Sequence, residues 1–456
     1  MDSRLNLQYH TFGCKVNTYD TGLIQKNLKN YAAVGEASVP ATFSAPFSMS
    51  NLVTKPAVHI LNTCAVTKEA TQQAVRLIRK LKAKEPFSTI VVTGCAAQVD
   101  TESFSALPSV DLVVANSHKH ELPFILDNFF RQRDGNRVFK SNIFKKEDLG
   151  VGGGEEDSHT RSFLKIQDGC NSFCTFCIIP YARGTSRSLK VNTLIQRIHE
   201  LESQNVQEVV LAGVHIGDYY DGDEQLGLDG LIETILKKTK IQRIRLGSLE
   251  PIEVSDRLLE LYQDPRLCAH FHMSIQSSQT NVLKEMKRKY TRHDVESALN
   301  RISGKVKNVY IGMDVIVGFP SETEVDFTET MSSLAQSPWT RIHVFPYSER
   351  KGTKAAHMET SVEFGERKRR AELMRALSNE RLQAEALKQK NLVKKVLVLK
   401  KGQALSRDYW NVKLPTVDPV MLAGWVGQEI DVRVVGSVAQ QIQNDCHLVG
   451  EVSDGF

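Results

Sequence analysis

Along the first third of the chain, short apolar runs alternate with stretches of helical period. Leu5 to Gly13, Val58 to Thr63, Ile90 to Gly94 and Val110 to Ala115 read as strands, the last apolar except for Asp111. Ala70 to Leu81 places apolar residues at helical spacing, and Asn116-Ser117-His118-Lys119 opens another helix toward Phe130. Strands separated by helices predict a parallel sheet with right-handed crossovers, a Rossmann-like α/β domain over residues 1–145. His118 and His120 read as surface residues.

From residue 162 the rhythm resumes with Phe163–Gln167, Glu208–Val214, Arg243–Leu249, Phe271–Gln276, Val309–Gly318 and Arg341–Tyr347 as strands. These six units predict an open (β/α)6 barrel over 162–385, whose chemistry belongs at the carboxyl ends of its strands. Glu363 to Lys390 reads as a long charged helix with Leu373, Met374, Leu377 and Leu382 on one side, and its run Arg367 to Arg370 reads as a solvated face. Beyond it, Lys395–Lys400, Tyr409–Leu414 and Glu429–Val435 alternate with period two, which predicts a small all-β barrel over 390–456. The pattern as a whole is that of a multidomain α/β protein. Asp148 to Ser158, with Gly150, Gly152, Gly153 and Gly154, marks a linker over 146–161, and the Ser-, Ala- and Pro-rich Gly35 to Pro56 reads as a surface loop without assigned chemistry.

Composition narrows the class more than the function. Hydrophobic residues make up 41% and charged residues 24% of the 456, which suits a globular protein able to bury full cores. No run approaches the apolar length that spans a bilayer, and the polar N-terminus carries no secretory signal, so a cytoplasmic protein with no membrane association is expected. A net charge of +5 is too small to establish nucleic-acid binding.

The eight cysteines change the picture. Cys170, Cys174 and Cys177 crowd into one loop after a strand, a spacing that lets the loop wrap one corner of an iron–sulfur cube and leave the fourth iron without a protein thiolate. A structural zinc would normally close its tetrahedron with a fourth ligand, and His159 and His199 stand at no usual finger spacing. An odd triplet cannot pair internally as disulfides. Cys14, Cys64 and Cys95 each end a strand of the first domain, so a parallel sheet brings them to one edge; taken singly, each also suits a buried packing thiol. Cys268 and Cys446 fall outside both sets and read as packing thiols.

The Cys170-x3-Cys174-x2-Cys177 pattern resembles the radical S-adenosylmethionine enzymes, in which the aromatic before the last ligand, here Phe176, faces the cofactor's adenine. With Phe176, the residues Gly213, Ser248, Gln276, Gly318 and Phe345 at the predicted strand ends are candidate cofactor contacts. The resemblance extends over nearly the whole chain to the methylthiotransferases. It is carried by Thr-Phe-Gly-Cys14, Leu-Asn-Thr-Cys64 and Thr-Gly-Cys95, by Pro180-Tyr181-Ala182-Arg183-Gly184, by His270 to Ser277, by Asp314 to Pro320 and by His343 to Ser348. It departs at Thr185, where the family often has another arginine, and at Ser278, where glycine is usual.

The resemblance implies two 4Fe-4S clusters, one on Cys170, Cys174 and Cys177 and an auxiliary one on Cys14, Cys64 and Cys95, with S-adenosylmethionine as cofactor. It implies no catalytic side chain, because the radical chemistry is borne by the clusters. The C-terminal segment resembles the TRAM module, an RNA-gripping barrel; Lys394, Arg407, Tyr409, Trp410 and Lys413, with Lys400 and Lys401, are its candidate tRNA contacts. The implied substrate is an adenosine beside the tRNA anticodon, and the implied partner is a one-electron donor such as a flavodoxin or ferredoxin system, with the protein a monomer or weak dimer. Phe12-Gly13-Cys14-Lys15-Val16-Asn17 and Gln167 to Asn171 look like the branch acting on threonylcarbamoyladenosine, and a cationic residue such as Lys15 or Arg183 would suit that substrate's carboxylate. The isopentenyladenosine branch, a relative modifying an aspartate of a ribosomal protein, a two-cluster electron-transfer protein and a zinc-stabilised RNA-binding protein stay open as alternatives.

Overall fold

The computed structural model of the chain describes residues 6–36, 56–131, 135–146, 149, 160–400, 403–440 and 445–452. The Ser- and Pro-rich stretch over 37–55, the glycine-rich stretch over 150–159 and Lys401 lie outside the described residues. The chain forms two compact bodies. One holds the described residues of 1–155 with Asp168–Asn171 and Cys177–Ser186; the other holds those of 156–167, Ser172–Phe176 and everything from Arg187 onward.

The first body is built on a five-stranded parallel sheet in sequence order: β1 (Asn6–Thr11), β2 (Ala57–Thr63), β3 (Thr89–Gly94), β4 (Leu112–Ala115) and β5 (Val138–Phe139). The apolar runs are continuous because both faces are covered. Ile24, Leu28, Ile125 and Leu126 pack with Val58, Ile60 and Val91 in one cluster, while Ile78, Ala96 and Phe104 pack with Leu61, Ile90 and Val92 in another. The two-residue β5 carries too little pattern to be read from sequence. His120 is exposed as expected, but His118 is half-buried with its ring edge-on to Phe139, and Lys119 between them is buried.

In the second body, β6 (Arg161–Lys165), β7 (Glu208–Ala212) and β8 (Arg243–Leu246) form one parallel sheet, and β9 (Ser248–Leu249), β10 (His270–Gln276), β11 (Tyr310–Val317) and β12 (Arg341–Pro346) form another. Only Gly247 separates β8 from β9. Its N–H still bonds the Leu211 carbonyl at 2.8 Å while Ser248 pairs with His272, so a single predicted strand bridges both sheets. The long helix spans Phe364–Leu387. Its basic run is not a solvated face throughout: Arg367 lies over the Tyr347 ring and Arg370 over Phe327, both buried and ion-paired, with Glu349 and with Glu322 respectively.

The C-terminal segment closes into a barrel of β13 (Val393–Leu399), β14 (Gln403–Ser406), β15 (Asn411–Lys413), β16 (Glu429–Gln440) and β17 (Asp445–Val452). Tyr409 and Trp410, predicted to begin a strand, lie in the β14–β15 turn, where Tyr409 takes φ +72°. Cys446 joins this barrel's core and Cys268 is buried elsewhere in the body, as expected of packing thiols.

Candidate functional site

In the first body the register Thr11↔Asn62 and Thr63↔Gly94 aligns the carboxyl ends of β1, β2 and β3. Cys14, Cys64 and Cys95 come directly after those ends; Cys14 is exposed and the other two are buried. Gly13 makes this approach sterically possible. Its φ of +94° is in the left-handed half of the map, and a Cβ there would stand 2.7 Å from the Cys64 sulfur.

The thiols sit on a buried polar network anchored by Arg183. Its Nε donates to the Cys95 sulfur at 3.2 Å, Nη1 to Asp168 at 2.8 Å, and Nη2 to Asn17 at 2.6 Å and Asp20 at 3.0 Å. Burial opposes the guanidinium charge, but Asp168, Cys95 and Asp20 more than offset it and hold Arg183 protonated. Asn116 Nδ2 lies 3.6 Å from the Cys95 sulfur, and the Val66 N–H lies 3.5 Å from that of Cys64. Lys119 pairs with Asp20 at 3.1 Å, and burial still pushes its ammonium down. Burial and the nearby Cys95 push the Cys64 thiol up to about 12, so a metal must displace its proton to bind. Three soft donors, two of them receiving hydrogen bonds on sulfur, fit an iron–sulfur cluster.

Asn17 and Asp20 lie within two turns of Cys14, in the stretch that carried the family resemblance, so their presence here was legible. Arg183, raised from sequence as a possible partner of a substrate carboxylate, is instead committed to the protein's own acids. Nothing in the sequence links it to Cys95, 88 positions earlier.

The central loop runs from Cys170 to Cys177. Cys170 and Cys174 are buried and Cys177 is half-buried. In the first body, Gly169 adopts φ +75° beneath the Thr185 carbonyl, to which a Cβ would approach within 1.9 Å, and the Cys170 N–H bonds the Gly184 carbonyl. In the second, Thr175 bonds the carbonyls of Met286 at 3.1 Å and Glu285 at 2.9 Å, and Phe176 packs beside Met286, Phe319 and Tyr347 with Arg288 over its ring. A close-set triplet of thiols is a donor set that suits iron.

The remaining cofactor candidates sit at strand ends of the second body. Gly213 comes after β7, Ser248 opens β9, Gln276 ends β10 with φ +61°, Gly318 comes after β11 and donates its N–H to Glu322, and Phe345 is exposed on β12. Gln276 thus takes a left-handed backbone; Ser278, which stands where the family usually has glycine, is buried and hydrogen-bonded to Ser333 at 2.7 Å. Sequence reasoning missed a network at this rim. His215 contacts Glu253 and Asp218, Arg288 reaches Glu250 at 2.5 Å, and the His215 N–H bonds Gln167 at 2.9 Å. Burial pushes the Glu250 carboxyl up despite Arg288 and His215, whereas a hydrogen bond with His215 holds Asp218 low.

Four of the seven candidate tRNA contacts are corrected by their packing. Trp410 is 3% exposed, in the barrel core and edge-on to Tyr310; Lys394 is buried against Asp408; Tyr409 stacks on His270 at 3.9 Å. Arg407 pairs with Glu429 and bonds the Pro265 carbonyl at 2.6 Å. Arg407, Tyr409 and Trp410 join the C-terminal barrel to the amino-terminal ends of the central strands, where Glu208, Arg243 and Arg245 are fully buried. Lys413 and Lys400 are exposed.

The Radical SAM superfamily model matches residues 164–334, and the one described as Uncharacterized protein family UPF0004 matches residues 6–115. A threonylcarbamoyladenosine tRNA methylthiotransferase of Aquifex aeolicus is 33% identical over 90% of this chain and 96% of its own length. A tRNA-2-methylthio-N(6)-dimethylallyladenosine synthase of Clostridium novyi is 31% identical, covering 77% of this chain and 76% of its own. The solved radical S-adenosylmethionine methyltransferase TsrM of Kitasatospora setae shares the fold, with TM-score 0.52 and 12% identity over 77% of this chain and 75% of its own. The chain therefore belongs to the radical S-adenosylmethionine methylthiotransferase family.

Proposed function

We propose that this enzyme adds a methylthio group to C2 of threonylcarbamoyladenosine next to the anticodon of tRNA. The observation that carries the reading is the presence of two separate thiol triplets, Cys14, Cys64 and Cys95 at one strand edge and Cys170, Cys174 and Cys177 in one loop. It is supported by relatives whose names specify the threonylcarbamoyl substrate. When bound, the clusters and S-adenosylmethionine supply the radical and the sulfur that an unactivated aromatic C–H requires.

The chain's own part is to hold and orient. Cys170, Cys174 and Cys177 would hold the radical cluster, and Cys14, Cys64 and Cys95 the auxiliary one. Arg183, fixed by Asp20, Asp168 and Asn17, donates a hydrogen bond to the sulfur of Cys95 and so helps to orient that ligand. Phe176, Gly213, Ser248, Gln276, Gly318 and Phe345 are assigned to the cofactor, where glycines admit close approach and Phe176 offers a ring face. Lys413 is retained as a tRNA contact; Lys394, Arg407, Tyr409 and Trp410 are not. No helix among the described residues is long and apolar enough to cross a membrane; we assign the enzyme to the cytoplasm, with a flavodoxin or ferredoxin as electron donor.

The test is mass spectrometry of tRNA nucleosides from cells lacking the protein. The 2-methylthio form of threonylcarbamoyladenosine should vanish and its unthiolated precursor accumulate. Loss of the isopentenyl counterpart would overturn the branch, and unchanged tRNA would redirect attention to a protein substrate.

A further inference from the structure

Two segments of the second body grip the central loop beside Cys174, and both carry lysines that no acid neutralises. Thr175 donates its N–H to the Met286 carbonyl at 3.1 Å and its hydroxyl to that of Glu285 at 2.9 Å, while its own carbonyl accepts the Ala355 N–H at 2.8 Å. It is thus held between the end of the helix Thr280–Glu285 and the turn Lys354–His357. Phe176, Met286 and Ala355 pack with Phe319 and Tyr347 in one cluster, which fixes the three segments on a common core.

Around this point the surface is cationic. Lys284 and Lys287 on one segment and Lys351 and Lys354 on the other are exposed, and among the described residues none of the four has an ion pair. Over 284–289 and 351–354 the exposed charged residues are these four, Lys289 and Glu285: five cations to one acid. The whole chain, with 58 cations to 53 acids, is nearly balanced. Lys287 ends its helix at φ +60°, with the Arg288 N–H on the Leu283 carbonyl at 2.8 Å. Glycine is the usual residue at such a position, so this charge is kept against the backbone's preference.

We infer that these lysines form the docking surface for the electron donor, a small one-electron carrier protein with an acidic face. The inference rests on the radical-cluster reading above and deepens it by naming where the partner sits. Electron transfer needs close approach without lasting affinity, the regime of small interfaces in which charge steers the encounter. One electron leaves the carrier, which is oxidised, and enters the cluster, which is reduced; no group is transferred. A loop that supplies three thiolates leaves the fourth iron to S-adenosylmethionine, so a carrier seated beside Thr175 does not contest that iron. This favours a carrier over the phosphates of the tRNA, whose base must reach the cofactor.

The test compares reconstituted full-length enzyme with a variant carrying Lys284→Gln, Lys287→Gln, Lys351→Gln and Lys354→Gln, all at exposed positions. Purified flavodoxin and a 4Fe-4S ferredoxin are the probes, in binding measurements at low and high salt and in stopped-flow oxidation of the reduced carrier. Affinity for the carrier that reduces the wild-type enzyme should fall about 10-fold in the variant at low salt, and its salt dependence should flatten. Affinity for tRNA should keep its wild-type value, as should cleavage of S-adenosylmethionine driven by dithionite, a small reductant that needs no docking surface. Unchanged carrier affinity overturns the assignment, and so does wild-type enzyme that binds neither carrier. Loss of tRNA affinity with carrier binding intact would give the surface to tRNA and overturn it too. Loss of dithionite-driven cleavage in the variant would make the lysines supports of the loop, again overturning it. Wild-type enzyme that dithionite cannot drive to cleave S-adenosylmethionine would instead refute the radical reading itself.

Discussion

Replacing Glu208 by glutamine should loosen the C-terminal barrel from the central body, because Glu208 holds the two arginines that reach that barrel. Its carboxylate, fully buried, accepts from Arg161 at 2.7 Å, from Arg243 at 2.9 Å and from Arg245 at 3.1 and 3.0 Å. Arg243 and Arg245 in turn donate to the carbonyls of Leu405, Ser406 and Arg407. Burial alone would raise the Glu208 carboxyl, but Arg245, Arg161 and Arg243 hold it well below the usual range. Glutamine keeps one acceptor and turns an N–H2 toward a guanidinium, taking from the buried Arg245 its carboxylate partner while Arg243 keeps Glu429. Breaking such a pair costs about 3–5 kcal/mol, and at about 2 °C per kcal/mol the transition of the second body should fall by about 6–10 °C. Because the folded-state carboxyl is depressed, its contribution is complete above the unfolded value of about 4.3 and is lost only as pH falls through the lower folded value. The difference between variant and wild type should therefore stay constant from neutral pH down to about 5 and shrink only below about 4. Calorimetry and amide exchange over residues 403–413 would measure it. A variant within about 1 kcal/mol of wild type, or a difference that already varies between pH 5 and 8, would refute the reasoning.

Gly13→Ala places a Cβ on the Cys64 sulfur at a left-handed φ, so it should reduce iron bound by the first body while leaving that of the Cys170–Cys177 loop, as read by iron analysis of the reconstituted protein. Arg183→Met strips the buried carboxylates of Asp20 and Asp168 of their shared cation; a loss of about 3–5 kcal/mol in the unfolding of the first body is expected, and an unchanged denaturation midpoint would count against the network. Truncation after residue 390 should lower the stability of the central body as well as tRNA binding, since it uncovers Arg243, Arg245, His270 and Tyr310; a truncated protein with wild-type thermal stability would show the seam to be unimportant.

The strand–helix rhythm was legible because the central parallel strands bury both faces and read as unbroken apolar runs; Val209, Val210 and Leu211 are an example. The cysteines were legible because a parallel sheet gathers the loops after its strands at one edge. Arg183 and the His215, Glu250 and Glu253 network were not, since their partners are joined by the fold and not by spacing. The C-terminal barrel misled for a different reason. Lysine, arginine and aromatic residues in a β-segment resemble an RNA-gripping face, but the same residue types serve a buried seam when their partners, such as His270, Tyr310 and the Pro265 carbonyl, lie elsewhere in the chain. Gln403–Ser406 and Asp445–Val452 were unread as strands, the former too short to display a period. The meeting of His272 with Asp314 and His343 was hidden in motifs, because alternation shows which residues share a face but not which neighbouring strands bring them together.

The central claim, that each thiol triplet holds its own cluster, is tested most directly by iron quantification after anaerobic reconstitution. The wild-type protein should bind about eight irons, and replacement of Cys14, Cys64 and Cys95 by alanine should leave about four with reductive cleavage of S-adenosylmethionine retained. Full iron content in that triple variant, or loss of cleavage in it with cleavage retained when Cys170, Cys174 and Cys177 are replaced, would contradict the account.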